Sequence, residues 1–316
     1  MVLVVILVGI IFSIINPRFA RLFNLLTILQ HASMLAIIAT GLTFVIILDE
    51  FDLSFAFLAG LGACLSVNVV QTDVPGFLAI LTALAVGLLV GIVNGLLVTK
   101  LRLVSFIATL GTATIIVGLN FFVSGGRTIV VVGGLPEWFN FVGQEELFGI
   151  SYITFVMIIV VVICAILTKF TQIGRNMYGV GGNVNASLVA GVNVDRTKMI
   201  AFMICGLLAG LTGYLMASRL GGAHPKAGDE FLMSGFAAVF IGMTMRGGIP
   251  NVIGTVVGAI LIKMILNGGT MIGLSYTYQL AINGIIIIVF VSAAYTIRNR
   301  LARKRVSAAY GLEKGG

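Results

Sequence analysis

The sequence predicts an all-α protein, a polytopic membrane helical bundle of about ten transmembrane helices that contains an inverted repeat. Three observations support this prediction: the composition, a series of charge-free runs, and a short motif that recurs in the second half. Of 316 residues, 59% are hydrophobic and 9% are charged, whereas a soluble domain is about 45–50% apolar and about 25% charged. The composition excludes soluble enzymes, disordered chains, disulfide scaffolds and nucleic-acid-binding modules.

Long runs without charged residues define most of the predicted spans. A bilayer core about 30 Å thick requires roughly 20 apolar residues in a helix. Six runs approach or exceed that length: Leu53–Thr72, Phe77–Val98, Val104–Val123, Ser151–Thr168, Met199–Ser218 and Tyr276–Ile297. Asn24–Leu48, which contains the titratable His31, is expected to hold an entry turn followed by a span.

Three further runs are shorter and complete the predicted ten spans. Val2–Ile15 would extend only about 21 Å as a helix, so we expect a first span whose natural start lies upstream of Met1. Phe231–Met245 and Gly247–Ile262 are separated only by Arg246. We expect these two runs to form either two tilted or broken spans or a re-entrant pair.

The loop charges predict the orientation. An even number of spans places both termini on one side, and cytoplasmic loops carry the excess of Lys and Arg. With cytoplasmic termini, the inner basic residues are Lys100, Arg102, Lys169, Arg175, Arg196, Lys198, Arg246, Arg298, Arg300, Arg303, Lys304 and Arg305, and the outer ones are Arg18, Arg21, Arg127, Arg219 and Lys226. We therefore predict that both termini are cytoplasmic. The net charge of +8 then reflects topology and anionic lipid, and no nucleic acid is expected as a partner.

A short motif recurs between spans. Asp49–Ser54 leads into Phe55–Gly62, and Asp229–Ser234 leads into Gly235–Gly242, with five of fourteen aligned positions identical. The first copy follows the second predicted span and the second copy follows the seventh, so the two copies run in opposite orientations. Inverted repeats are a common transporter construction. The candidate half-repeats are residues 27–123 and 198–297.

The sequence contains no catalytic, cofactor-binding or metal-binding motif. It lacks the phosphate loop G-x-x-x-x-G-K-[ST], H-E-x-x-H and G-x-S-x-G. Cys64, Cys164 and Cys205 lie in apolar runs and are interpreted as small buried hydrophobic residues. Lys263 interrupts a late span and is interpreted as snorkelling from near a helix end. We therefore predict a protein that is not an enzyme, needs no metal or cofactor, and has no energy source of its own.

Lys169–Lys198 is the long cytoplasmic connection. Its glycines between 174 and 182 are predicted to end a helix and form a turn. Asn183 suits the N-cap of a short helix, Val184–Ala190, which Gly191 closes. Such an exposed helix is a docking point for a partner; a plain solvated loop is the alternative interpretation.

Several sequence blocks resemble one transporter family. Asp52-Leu53-Ser54 matches a D-L-S signature, and Gly91–Gly111 resembles the block N-G-L-L…F-I-A-T-L-G. Residues 223–228, 236–242 and 247–258 resemble A-x-P-x-x-G…A-A-V-x-x-G…G-G…G-T-x-x-G-A, and Gly181–Gly191 resembles a cytoplasmic coupling segment. From about Asn16 to Arg298, the sequence is similar to the permease subunits of ribose-type (simple-sugar) ATP-binding-cassette importers.

The resemblance implies a single transmembrane permease domain over residues 1–316, located in the bacterial plasma (inner) membrane. It implies three partners: a second permease in a homo- or heterodimer, a cytoplasmic ATPase that hydrolyses the ATP, and an extracytoplasmic sugar-binding protein. Segment 169–198 would bind the ATPase through Gly182, Asn183, Asn185, Ala186, Ala190 and Gly191. Two departures stand out: Asn185-Ala186-Ser187 replaces the family's Glu-Ala-Ala, and Ile249-Pro250 interrupts a stretch that is often glycine.

Uncharged polar residues within the spans are the candidates for the sugar path, because a neutral sugar needs hydroxyl and amide contacts. These candidates are Asn94, Thr109, Thr112 and Asn120, with Asn267 as the counterpart of Asn94 in the second half. Interhelical hydrogen bonding is the alternative role for each. The outer loops Gly125–Gly149 and Arg219–Glu230 are candidate docking sites for the binding protein.

Two other functions stay open at this point. One is a branched-chain amino-acid or nucleoside permease of the same superfamily. The other is a stand-alone secondary carrier or channel, and the lack of carboxylates within the spans counts against it.

Overall fold

The computed structural model describes residues 1–72, 75, 77–131 and 134–309, apart from the side chains of residues 276, 295 and 298–309. The helices are α1 (Val2–Ile15), α2 (Leu22–Ile47), α3 (Phe55–Val70), α4 (Phe77–Thr99), α5 (Ser105–Ser124), α6 (Glu137–Gln144), α7 (Tyr152–Phe170), α8 (Gln172–Gly182), α9 (Val184–Val189), α10 (Val194–Leu220), α11 (Glu230–Met243), α12 (Val252–Met271) and α13 (Tyr276–Ala309). Four two-residue strands are β1 (Ile129–Val130), β2 (Glu146–Leu147), β3 (Ile150–Ser151) and β4 (Gly222–Ala223).

The predicted all-α membrane bundle is confirmed, since every predicted run forms a helix. Seven helices in the described ranges are long and apolar enough to cross a membrane: α2, α4, α5, α7, α10, α12 and α13. The other three predicted spans form the shorter helices α1, α3 and α11, with 14, 16 and 14 residues. Phe231–Met245 and Gly247–Ile262 form two separate helices, α11 and α12, joined by one 3-10 turn, Thr244–Arg246.

The core lies around α2 and α10. All residues from Ala32 to Leu48 are buried, and a helix that is apolar and buried on every side occupies the centre of a bundle. Helix α10 packs on α4, α3 and α2, while α2 packs on α12, α11 and α7. The remaining membrane helices surround this pair.

Loops that the charge pattern assigned to one side do meet at one end of the bundle. At the α9 end, Arg102 pairs with Asp195 and Tyr178 donates to the Pro250 carbonyl. At the opposite end, β1 pairs with β4 through Ile129 and Ala223, and β2 pairs with β3 in a hairpin. The alternation of the loops between the two ends therefore agrees with the predicted order of spans.

Glycines hold α4 and α10 in close contact. A Cβ on Gly87 would collide with the Gly206 carbonyl oxygen, and a Cβ on Gly206 would collide with the Gly87 carbonyl oxygen. Gly210 lies equally close to Ala83. Small residues spaced in this way let helix backbones approach in lipid, where dispersion and weak hydrogen bonds drive packing.

Gly87→Ala should destabilise the protein by roughly 2 kcal/mol or more, because the added methyl group forces two backbones apart. The measurement is thermal unfolding of the purified chain in detergent. Gly284→Ala on α13 is the matched control, since a Cβ there meets no atom within 4 Å. Equal melting temperatures for the two variants would contradict the assigned α4–α10 contact.

The glycines between 174 and 182 do not form the predicted turn, so that prediction was wrong. Residues 172–182 form helix α8 instead. The physical reason is close packing: a Cβ on Gly174 would overlap the Thr168 carbonyl oxygen, and one on Gly181 would overlap the Ile47 carbonyl oxygen. The glycines therefore let α8 lie directly against the ends of α7 and α2.

Candidate functional site

Helix α9 has the predicted cap and the predicted closing glycine. The Asn183 side-chain oxygen accepts a hydrogen bond from the Ala186 amide at 3.0 Å, which satisfies one free N–H group of the first turn. Gly191 adopts φ 79°, the left-handed region that favours glycine. The helix ends at Val189, one residue before the predicted Ala190. The local structure of this segment is therefore confirmed, while its role stays a prediction.

Most of α9 points away from the protein. All six predicted coupling residues are exposed: Gly182, Asn183, Asn185, Ala186, Ala190 and Gly191. The apolar side chains Leu188 and Val189 are 55% and 91% exposed, while Ser187 is buried. Helix α9 therefore presents two apolar side chains on the surface, outside the candidate membrane helices.

Helix α8 attaches α9 to the bundle. The Tyr178 hydroxyl donates to the Pro250 carbonyl oxygen at 3.0 Å, at the start of α12. The Arg246 guanidinium lies 5.2 Å from the centre of the Tyr178 ring, a cation–π distance. Burial raises the pKa of the Tyr178 phenol, and Arg246 partly opposes that shift. Tyr178 therefore joins α8 to the start of α12.

Two ion pairs fix the far end of the same segment. The Lys198 ammonium pairs with Glu50, and both side chains are at most 20% exposed. The Arg102 guanidinium binds both oxygens of Asp195, at 2.7 and 3.0 Å. From the sequence, the basic residues Arg102 and Lys198 were assigned only to the cytoplasmic side. Glu50 lies in the first copy of the recurring motif, whose opening residues Asp49-Glu50-Phe51 we call the D-E-F motif. Lys198 ends the cytoplasmic connection. Nothing in a single sequence shows that the two side chains pair.

A cavity of about 620 Å³ opens between α8, the ends of α2 and α11, and the middle of α13. Its polar wall contains Asp49, Glu50, Tyr178 and Arg246. Pro250, the residue that departs from the family pattern, also lines it. Helix α8 and three other helices therefore border one space.

The D-L-S loop is held by residues that the sequence assigned to the sugar path. Ser54 donates its amide and its hydroxyl to the Asp52 carboxylate, at 2.8 and 2.6 Å. Asn94 donates to the Ser54 hydroxyl at 2.8 Å. The Leu53 amide donates to the Thr109 hydroxyl at 3.1 Å. Hydrogen bonds from Asn94 and Thr109 thus join α4 and α5 to this loop, and the role of both residues in a sugar path stays a prediction.

The remaining path candidates are dispersed. Thr112 is buried and donates to the Ala108 carbonyl of its own helix. Asn120 donates to the Phe57 carbonyl on α3 at 3.0 Å. Asn267 lies on α12. The side-chain oxygens of Asn94, Asn120 and Asn267 share one property: each is buried and has no hydrogen-bond partner among the described residues.

Two polar contacts between distant segments involve Lys263 and Arg219, and the sequence did not predict either of them. Lys263 was interpreted as snorkelling, but it is 7% exposed and its ammonium lies 3.6 Å from Glu230. Arg219 contacts both ring nitrogens of His31, at 3.2 and 3.0 Å. The Lys263–Glu230 contact is an ion pair, as expected of a charge within a membrane bundle, whereas Arg219 and His31 are joined by hydrogen-bond contacts only. The three cysteines are free and buried, as predicted. In the described ranges, no group of three or more His, Cys, Asp or Glu side chains is arranged to hold a metal ion.

Comparisons with known proteins cover nearly the whole chain. A family model described as "Branched-chain amino acid transport system / permease component" matches residues 24–291. The ribose import permease protein of Haemophilus influenzae is 35% identical over 291 residues, which cover 92% of this chain and 90% of that protein. The corresponding protein of Bacillus subtilis is 35% identical over 283 residues, which cover 89% and 88%. The galactose/methyl galactoside import permease protein of Escherichia coli K12 is 33% identical over 304 residues, which cover 91% and 90%. No solved structure matches the chain.

The matched range begins in α2 and ends in α13. It therefore includes the D-L-S loop, the α8–α9 segment, and the family-like blocks at residues 91–111 and 223–258. The resemblance drawn from these blocks is confirmed. The helical membrane bundle agrees with a multi-pass membrane protein. The chain belongs to the transport permease family whose model it matches, and ribose and galactose import permeases are among its relatives.

Proposed function

We propose that this chain is the permease subunit of an ATP-driven importer for a simple, ribose-like sugar. The observation that carries the proposal is α9, a capped helix with exposed apolar side chains, anchored through α8 to the ends of α2 and α12. The names of the relatives, which are ribose and galactose import permeases, support the choice of substrate. A separate cytoplasmic ATPase grips α9 and hydrolyses ATP, so the permease itself needs no cofactor and catalyses no reaction.

The translocation path is part of this proposal. A buried polar group without a partner costs about 1–3 kcal/mol, so the free amide oxygens of Asn94, Asn120 and Asn267 require water or a ligand. Sugar hydroxyls are suitable donors for them. Thr109 and Thr112 lie on the same side of α5 as Asn120 and complete the candidate path.

A second permease, identical or paralogous, would cover the open side of α5. Gly111, Thr114 and Gly118 are exposed and lie on one face of that helix, and a Cβ on either glycine meets no atom within 4 Å. An extracytoplasmic sugar-binding protein would dock on the opposite end from α9. Both termini would be cytoplasmic, in the bacterial plasma membrane.

The half-repeats 27–123 and 198–297 correspond to α2–α5 and α10–α13. The packing supports this assignment: α10 contacts α3 and α4 of the first set, and α2 contacts α11 and α12 of the second. Each half thus presents its first helix to the second and third helices of the other. An inverted repeat supplies two related gates for alternating access.

The orientation predicts opposite labelling of two engineered cysteines. Val189→Cys lies on α9, and His224→Cys lies in an exposed loop at the other end. In intact cells, a membrane-impermeant maleimide should label His224→Cys and leave Val189→Cys unlabelled until the cells are permeabilised. The native cysteines are all buried, so the background is low. The reverse pattern would contradict cytoplasmic termini.

The function is tested by uptake into proteoliposomes that contain the permease, its ATPase and its binding protein. ATP-dependent accumulation of labelled ribose is the expected result. Accumulation of leucine instead would favour a branched-chain amino-acid permease, which the description of the family model suggests. Uptake that persists without the ATPase and follows an ion gradient would indicate a secondary carrier.

A further inference from the structure

Exposed aromatic side chains surround the start of α7, at the end of the bundle opposite to α9. Trp138 and Phe141 lie on α6, and Phe148 lies at the turn of the β2–β3 hairpin, where it is 95% exposed. A soluble surface rarely presents three such rings together. Their surroundings indicate what covers them.

Helix α6 is fixed to the bundle by its inner side only. Phe139 is fully buried, and its carbonyl oxygen accepts a hydrogen bond from the Ser218 hydroxyl at 2.6 Å. The Gly143 amide donates to the same hydroxyl at 2.9 Å. Ser218 lies in the last turn of α10, a membrane-crossing helix. These bonds place α6 at the level where a span ends.

The outer side of α6 continues the lipid-facing surface of α7. The Phe141 ring lies 4.7 Å from the ring of Tyr152, the first residue of α7. Ile159 and Ile166 lie on the same helical stripe as Tyr152, two and four turns further along, and both are exposed. Because α7 is long and apolar enough to cross a membrane, this stripe faces acyl chains. Phe141 and Trp138 therefore lie next to the end of this lipid-facing stripe of α7, on the side of the bundle opposite to α9.

The hairpin supplies a third ring under backbone strain. Phe148 adopts φ 54°, in the left-handed region that bulky residues rarely occupy. Such a conformation is energetically unfavourable and persists only where the surroundings compensate for it. An apolar ring held there in water would add a hydration cost and gain nothing. A ring inserted among lipid headgroups recovers the energy of apolar burial.

We propose that α6 and the β2–β3 hairpin lie in the membrane interface, with Trp138 and Phe148 inserted among the lipid headgroups. Aromatic rings are enriched at this depth because they combine an apolar body with a polar edge or quadrupole. The consequence is that this part of the Gly125–Gly149 loop is closed to a soluble partner. A binding protein is then left with the loop of residues 219–230, where His224, Lys226 and Asp229 are exposed.

The chain carries its own reporter, because Trp138 is the one tryptophan in the sequence. The unmodified protein is reconstituted into phosphatidylcholine vesicles that contain nitroxide-labelled lipid. We expect about half of the emission to be lost with the nitroxide near the headgroup, a smaller loss with the nitroxide near the acyl-chain end, and weak quenching by iodide. Strong iodide quenching, with no dependence on labelled lipid, would overturn the proposal and return α6 to the docking surface for the binding protein.

Two variants extend the test beyond one ring. Trp138→Phe combined with Phe148→Trp moves the reporter to the hairpin and should give the same quenching pattern. Trp138→Phe combined with Val189→Trp moves it to α9 and should give strong iodide quenching with no effect of labelled lipid. The measurement on the unmodified chain decides the proposal even if a variant fails to fold.

Discussion

Val189→Asp should abolish ATP-driven uptake while leaving the permease as stable as the unmodified protein. The side chain is 91% exposed at the end of α9, so the substitution removes no packing within the chain. Surface substitutions of this kind change stability by about 0.5 kcal/mol or less. In the proposed complex with the ATPase, the same position would be a small apolar contact, and a buried, unpaired carboxylate there costs several kcal/mol.

The expected effect on ATPase binding follows from that difference. A loss of about 3 kcal/mol corresponds to roughly a hundredfold weaker complex. The measurements are the dissociation constant of the ATPase for the reconstituted permease, the uptake rate, and the melting temperature of the permease. Val189→Ile is the matched control, because it keeps an apolar side chain and should retain binding. Normal binding by Val189→Asp would remove α9 from the coupling role.

A second substitution separates the shape of the contact from its charge. Asn185 stands where the resemblance to the importer permeases implies Glu, and it is exposed on the first turn of α9. Asn185→Glu restores that negative charge without altering the cap made by Asn183. An acidic residue in the first turn is also favoured by the helix dipole. If the surface of the ATPase that faces residue 185 lacks a basic group, the unmodified permease and Asn185→Glu should bind it equally well. If that surface carries a basic group, Asn185→Glu should bind the ATPase more tightly than the unmodified permease.

The bundle and the short helix α9 can be predicted from the sequence because both depend on neighbouring residues in the chain. Charge-free runs report spans because a charge in lipid is costly, and every such run forms a helix. The Asn183 cap and Gly191 are read correctly because each needs only its neighbours. Composition and local chemistry therefore carry most of the fold.

The candidate site depends instead on contacts between distant segments. The glycines between 174 and 182 were predicted to form a turn, but they lie in α8. Gly181 packs on Ile47, which is distant in sequence on α2, and Gly174 packs on Thr168 at the end of α7. Neither contact can be recognised from the glycines themselves. The Tyr178–Pro250 bond spans 72 positions, and the Lys198–Glu50 pair spans 148. The hydrophobic periodicity of a single sequence gives no information about contacts between residues so far apart in the chain. Asn94 and Ser54 were assigned to separate sites for the same reason, although they form one hydrogen bond.

These distant contacts define a route from α9 to the helix ends. Tyr178 connects α8 to the start of α12, and Gly181 lets α8 rest on the end of α2. Lys198 connects the start of α10 to the D-E-F motif that precedes α3. The segment 169–198 therefore contacts α2 and the loop before α3, in the first proposed half-repeat, and the start of α12, in the second. Breaking either contact should separate ATP hydrolysis from transport.

Glu50→Gln and Lys198→Met should each lower the free energy of unfolding by roughly 2–3 kcal/mol, whereas the double variant should lose less than the sum. The side chains are 15% and 20% exposed, so removing one partner leaves the other charge largely desolvated. A fully buried pair costs about 3–5 kcal/mol when one partner is removed, and partial exposure reduces that figure. The Arg102–Asp195 pair, with side chains 68% and 31% exposed, is the matched control and should contribute about 1 kcal/mol or less.

The double-mutant cycle distinguishes a direct pair from two independent effects, because a coupling energy near zero would mean that Glu50 and Lys198 do not interact. Transport supplies the second readout. If the pair transmits motion to the loop before α3, the double variant should remain folded and bind the ATPase, yet hydrolyse ATP with uptake reduced at least about tenfold. Full uptake in a stable double variant would restrict the pair to a structural role and leave Tyr178 as the connection through which α9 acts on the helix ends.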